Sequence, residues 1–163
     1  MRTIANCSII ATHSLKNLTT VRPCPEGFIV KCLEEQHAEV VAPTWSYTDN
    51  LQAKISYFKQ FIKHLHSVGI FSKEDPDKPV AWCTQYVYGQ PAHLYVTDEY
   101  RRRGFASLMM EHMCECIQAD GLLPGIGVDL DNARGMELMK KMGFVKYGNC
   151  TYLCIGTVWC FDS

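Results

Sequence analysis

Residues 91–110 read PAHLYVTDEYRRRGFASLMM. A strand pattern ends at Val96, a short loop carries Arg101-Arg102-Arg103-Gly104-Phe105-Ala106, and a helical pattern begins at once. The first N–H groups of a helix have no partners within it, and the helix dipole puts partial positive charge there. Acidic residues suit that position, so three arginines are electrostatically misplaced unless the turn serves an anion. Gly104 lets the backbone approach a ligand, and small Ala106 keeps the helix start uncrowded. The dipole contributes only about 0.3–2 kcal/mol, so the arginines and several N–H bonds must supply most of the grip. No GxxxxGK[ST] and no GxGxxG is present, which sets the turn apart from the two common nucleotide loops.

Outward from this turn the chain alternates short elements. On the N-terminal side, 80–88 reads as a strand with Val80, Trp82, Thr84, Tyr86 and Tyr88 on one face. Gly89-Gln90-Pro91 turns it into a second strand over 92–96. Further back, 28–33 is strand-like and 34–42 is helical until Pro43. Asn50 is the candidate N-cap of a helix with Leu51, Ile55, Phe58, Ile62 and Leu65 at helical spacing. On the C-terminal side, the helix after Gly104 runs to about 119, with Phe105, Met109, His112, Met113, Cys116 and Ile117 on one stripe. A strand over 126–130 follows, then a helix over 133–142 closed by Gly143, then strands over 144–147 and 151–161. The expected fold is mixed α/β, a mostly antiparallel central sheet flanked by helices. The Pro23-Cys-Pro25-Glu-Gly27 punctuation sets residues 1–25 apart as an irregular or stranded remnant, with one domain over 26–163.

Composition narrows the function classes. The chain has 163 residues, 47% apolar and 20% charged, with a formal net charge of -1. Such a balance argues against nucleic acid or an anionic membrane as the main partner. No apolar run approaches the roughly 20 residues of a membrane span. Nine cysteines are present without a CxxC, and His112-Met-Cys114-Glu-Cys116 lies in a helical pattern where positions two apart diverge. Free thiols in a reducing compartment are therefore expected, and no metal. The compartment expected is the cytoplasm. Arg2, Lys16 and Arg22, with no acid before Glu26, leave a mitochondrial leader as the alternative.

Two motifs carry a resemblance. Arg101-x-x-Gly104-x-Ala106 after Leu94-Tyr95-Val96 resembles the [Q/R]xxGx[G/A] signature of the GNAT N-acetyltransferase superfamily. About 30 residues on, Asn132-Ala-Arg-Gly135-x-x-Leu138-x-x-Lys141-x-Gly143-Phe144 resembles the second signature of that superfamily. The resemblance implies an acyl-CoA or acetyl-CoA co-substrate. Its pyrophosphate would sit on Arg101, Arg102, Arg103, Gly104, Phe105, Ala106 and Ser107, its pantetheine along Leu94, Tyr95 and Val96, with Asn132 across the cleft. A narrower likeness, to the C-terminal domain of the glycine N-acyltransferase family, rests on His37-Ala38, Trp45, Asn50, Pro79-Val80-x-Trp82, Glu99-Tyr100-Arg101 and Val128-Asp129-x-x-Asn132. It implies transfer of an acyl group to the amine of glycine or another small amine by direct attack, with no nucleic acid or membrane partner. A non-catalytic acyl-CoA-binding module and an N-acetyltransferase of peptide amines are the alternatives.

Direct attack needs a neutral amine. An amine of pKa near 10.4 costs about 4.6 kcal/mol to deprotonate at pH 7, and an α-amino group near 8 about 1.4 kcal/mol. The strand position where that superfamily commonly places a catalytic Glu is Gln90 here, and the usual acid Tyr is Met139. Gln90 can hold a water without taking its proton. His93 titrates in a useful range but has the opposite strand parity to Gln90 unless a bulge intervenes. Asp129 is the other candidate for base or acceptor-orienting group, Asp131 is expected to cap the following helix, and Tyr147 is a candidate proton donor.

Overall fold

A computed structural model of the chain describes residues 2–11, 21–46 and 49–154. Among the described residues, seven strands form two antiparallel sheets. In the first, β2 (Phe28–Lys31), β3 (Ser67–Ser72), β4 (Pro79–Gln85) and β5 (Pro91–Val96) lie side by side in chain order. In the second, β1 (Arg2–Ala11) runs between β6 (Gly125–Asp129) and β7 (Val145–Cys154). The first sheet ends at β5 and the second begins at β6. These two edges approach one another without pairing, so the protein has a seam between its sheets.

The helices follow the residues that favour them. A 3-10 turn over Glu35–His37, the short α1 (Ala38–Val41) and a second 3-10 turn over Ala42–Thr44 replace the single helix expected over 34–42. Pro43 sits inside the last of these turns, where its missing N–H is tolerated. Then α2 (Leu51–His64) starts where Asn50 accepts the Ala53 N–H at 3.0 Å, as the capping pattern predicts. After β5 come α3 (Phe105–Ala119) and, beyond β6, α4 (Ala133–Lys141). The end of α4 is a Schellman turn. Gly143, at φ 83°, donates to the Lys140 carbonyl at 3.1 Å, and Phe144 donates to Met139 at 3.0 Å.

Two apolar clusters fill the interior. One joins α3 to both sheets through Ile10, Val68, Ile70, Met109, Met113, Ile126 and Met139. The other packs α1 and α2 on the opposite face of the first sheet through Val41, Phe58, Ile62, Phe71 and Trp82. Covered on both faces, β4 is buried along its whole length. The buried stripe of α3 is wider than expected: Leu108, Met110 and Cys114 join it, and His112 and Cys116 are only half-buried at its margin. Burial is worth about 1.5–3 kcal/mol for each large side chain, which makes α3 the main brace between the sheets.

Three features differ from the sequence reading. The strand expected over 80–88 stops at Gln85, because residues 86–89 turn: Gly89 donates to the Tyr86 carbonyl at 2.8 Å and Tyr86 to Gln90 at 2.7 Å. The two strands expected over 144–147 and 151–161 are one strand, β7, with Gly148 opposite Ile9 and a register shift beside it that skips position 147. Residues 155–161 lie outside the described residues. Finally, residues 2–11 are the middle strand of a sheet, so the division drawn at residue 25 does not separate them from the domain. Local propensity cannot report a pairing across more than a hundred residues.

Candidate functional site

The turn after β5 leaves the start of α3 open. Residues 98–100 make one 3-10 turn, Arg102 takes a left-handed φ of 64°, and Gly104 another at 81° as the N-cap of α3. No side chain caps α3 at Gly104, and the first N–H with a helical partner is that of Leu108, to the Gly104 carbonyl at 3.1 Å. The N–H groups of Phe105, Ala106 and Ser107 are thus those a helix start leaves for a ligand. The Phe105 side chain is not part of the site. It is 2% exposed and packs edge-on against Phe28 at 4.9 Å, so only its backbone is available to a ligand.

The three arginines are exposed and held differently. Arg101 pairs with Asp98 at 2.6 Å, donates Nε to the Val96 carbonyl at 3.2 Å, and leans on the Tyr95 ring. Arg103 donates to the Glu99 carbonyl at 3.4 Å and lies over Tyr100. Arg102 makes no ion pair among the described residues. An exposed pair such as Arg101–Asp98 is worth about 0–1 kcal/mol, so an incoming phosphate can displace it at little cost. A fourth arginine, which sequence reasoning missed, joins them from the N-terminal segment. Arg22 binds Glu111 of α3 at 2.8 Å and passes beside Gly104, 3.9 Å from where a Cβ would stand. No local signal marks Arg22, since it reaches the turn only through the fold.

Leading into this turn, β5 presents one edge to the seam. Leu94 and Val96 face the α3 cluster, and Tyr95 stacks on Trp82 at 4.9 Å on the other face. The register with β4 slips between Trp82 and Thr84: Trp82 faces Tyr95, Thr84 faces Ala92, and His93 takes φ 52°. This is a bulge, and it removes the parity objection to His93. The ring of His93 packs among Trp45, Tyr57, Phe58, Phe61 and Tyr86, with Nδ1 2.7 Å from the hydroxyl of fully buried Thr84. Burial pulls its pKa down to about 4. Such a ring is neutral at pH 7 and holds a proton poorly, so His93 is suited to positioning or hydrogen bonding and not to taking the amine proton. Gln90 belongs to the turn before β5 instead of the strand, with its carbonyl bound by Tyr86. Met139 is 2% exposed in the core and excluded from chemistry.

Across the seam, Asp129 ends β6 and accepts the Cys7 thiol at 3.1 Å. Burial, with Asp129 next, pushes the Cys7 thiol up to about 12, so it stays protonated as the donor. Asn132 itself caps α4, accepting the Gly135 N–H at 2.9 Å, a role expected of Asp131. Gly135 must lack a side chain there, since a Cβ would stand 2.7 Å from the Asn132 amide nitrogen. Tyr147 is 54% exposed on β7. The structure therefore gathers residues 94–96 and 101–107 at one end of β5, sets His93 and Gln90 toward its start, and puts Asp129 and Asn132 at the end of β6. Among the described residues no three His, Cys, Asp or Glu side chains come together in a way that could hold a metal ion.

Comparison with solved structures shows the same fold. A Drosophila protein superposes with a TM-score of 0.79 at 20% identity, over 90% of this chain and 49% of its own. A tandem GNAT protein from the clavulanic acid biosynthesis pathway gives 0.71 at 13% identity, over 91% of this chain and 52% of its own. An acetyltransferase from the GNAT family of Colwellia psychrerythraea gives 0.66 at 14%, over 93% and 56%. The chain thus spans about half the length of these structural neighbours. Comparison with curated proteins finds no significant match. The model of the family described as FR47-like protein matches residues 67–153, more than half the chain, and takes in β5, the arginine turn, α3, β6 and α4. With that match over the residues that build the site, the chain belongs to the FR47-like family, and its fold is the one these GNAT acetyltransferases share.

Proposed function

We propose that the protein is an acyl-CoA-dependent N-acyltransferase that moves an acyl group from the CoA thioester to a small amine such as glycine. The observation that carries the reading is the uncapped start of α3, with Gly104 left-handed and four arginines around it, at the end of an unpaired strand edge. The donors present fit a pyrophosphate: three N–H groups, and guanidinium groups tied only by exposed contacts. Residues 101–107 would hold the phosphates, and the free edge of β5 at residues 94–96 would pair with the amide groups of the pantetheine arm. Asn132, from across the seam, would bound the other side.

In the transfer an N–C bond forms, the thioester C–S bond breaks, and the amine gives up a proton. Gln90 is an amide and His93, its pKa pulled down to about 4 by burial, is a weak base, so both serve to hold water or the amine in place. Asp129 is the one carboxylate among the candidate groups and the best candidate for orienting or deprotonating the acceptor. By the arithmetic above, weakly basic amines need least help. Incubation with acetyl-, benzoyl- and longer acyl-CoAs plus a panel of amino acids, following free thiol, tests the reading. No amine-dependent thiol release across the panel would sink it.

A second reading is favoured by Gln90 and the buried Met139: the fold binds acyl-CoA without transferring it. It expects thermal stabilisation by CoA esters and no turnover, including in Gln90→Glu. Turnover by that variant alone would mean that the site kept its geometry and lost its base.

A further inference from the structure

The middle position of β1 brings together three side chains far apart in sequence. Cys7 is the register partner of Asp129 on β6 and of Cys150 on β7. Side chains directly opposite one another across antiparallel strands project from the same face, so Asp129, Cys7 and Cys150 form one row across the sheet. Opposed residues of such a pair have Cα atoms about 4.5–5.5 Å apart, inside the window of about 4.4–6.8 Å that a disulfide needs. Cys7 is 5% exposed, Cys150 is half-buried, and both are free thiols. The Cys7 thiol is committed to Asp129 by the 3.1 Å hydrogen bond.

We infer that Cys7 and Cys150 are a site of reversible oxidation, closing a cross-strand disulfide that releases Asp129 from its thiol donor. The oxidant class is a small disulfide such as glutathione disulfide. The Cys150 thiolate, the more accessible of the two, attacks it, forming a mixed disulfide and expelling one glutathione thiolate. Cys7 then loses its proton, carried away by Asp129 or water, and attacks the Cys150 sulfur, expelling the second glutathione. The balance is two protein thiols and one glutathione disulfide giving one protein disulfide and two glutathione thiols. The depressed acidity of Cys7 assigns it the resolving step, since the thiolate form is the nucleophile. Because Asp129 ends the strand that faces β5, the oxidised form presents at the seam a carboxylate without its thiol donor.

The test uses the full chain under native conditions. After incubation with a series of glutathione/glutathione disulfide ratios, free thiols are alkylated, and intact mass and proteolytic peptides are read. The expected result is a species carrying two fewer alkyl groups than the reduced chain, with a linked peptide joining Cys7 to Cys150 that dithiothreitol dissolves. Fully buried Cys83 and Cys114 stay unlinked. In Cys7→Ser, Cys150 should stop at the mixed disulfide with glutathione. In Cys150→Ser, Cys7 should remain a protected thiol. Absence of the linked peptide in the unaltered chain, with Cys150 instead accumulating as the mixed disulfide, would overturn the inference, as would the same loss of two alkyl groups in either variant.

Discussion

Gly104 offers the most direct separation of backbone conformation from ligand binding. It caps α3 at φ 81°, and among the described residues a Cβ built there meets only Arg22 Nη1, at 3.9 Å. Gly104→Ala therefore meets no collision among the described residues. Its cost is the left-handed conformation itself, about 1–2 kcal/mol for a residue with a Cβ. In a domain of this size each kcal/mol moves Tm by about 2–4 °C, so the free variant should melt about 2–8 °C lower. Ligand binding is read separately. Free CoA at 100 times its Kd stabilises the folded state by about 2.7 kcal/mol, a rise of about 5–11 °C by the same scale. If the N–H groups of Phe105, Ala106 and Ser107 receive the phosphates, the added methyl stands where the ligand must approach. Gly104→Ala should then lose most of that CoA-induced rise. Gly104→Asn sharpens the comparison. Asn visits left-handed φ readily, so it should recover much of the stability but not the CoA response. Differential scanning fluorimetry with and without CoA measures both quantities. A CoA-induced rise that survives undiminished in Gly104→Ala and Gly104→Asn would refute close backbone approach at this turn.

Further outcomes follow from single contacts. Asn132→Ala removes the oxygen that caps α4 at Gly135, and denaturant unfolding should show a loss of about 0.5–2 kcal/mol. Asn132→Asp, which keeps that oxygen, should recover it. Met139→Ala leaves a cavity beneath α4 and should cost about 2–5 kcal/mol by the same assay, while Met139→Leu should cost under about 1.5 kcal/mol. His93 gives a pH signature. Its folded pKa of about 4 lies below the ordinary 6.5, so between those values the unfolded chain binds the proton and the folded chain does not. Stability from this residue is therefore intact above pH 6.5 and lost as pH falls toward 4, with a slope of at most about 1.4 kcal/mol per pH unit. His93→Gln should flatten that limb of the stability–pH curve. An unchanged limb would mean that the ring is not buried neutral.

What the sequence disclosed was local chemistry. The start of α3, the Asn50 cap and the Gly143 end of α4 each depend on residues within a turn or two, and each is read correctly from them. The missing information was pairing. The bulge at His93 depends on how β4 and β5 slide past one another, which alternation alone cannot report, and so the face of His93 was undecided. Gly148 looks like a turn residue, but a long partner strand carries β7 straight through it. Arg22, Cys7 and Thr84 each become informative only beside Gly104, Asp129 and His93, and nothing in their own neighbourhoods points to those partners.

The place of β1 governs the order in which this sheet can come into being. During synthesis residues 2–11 emerge well before both neighbours of that strand, since β6 and β7 follow more than a hundred residues later. Contacts of such long separation slow folding, because the loop between them must close before they bring any gain. For that interval β1 is a strand with two open edges, the kind of surface that recruits foreign strands. The reverse case is equally plain: a chain beginning at residue 26 would leave β6 and β7 without the strand that joins them. The ten residues of β1 thus decide whether the sheet of β6 and β7 exists.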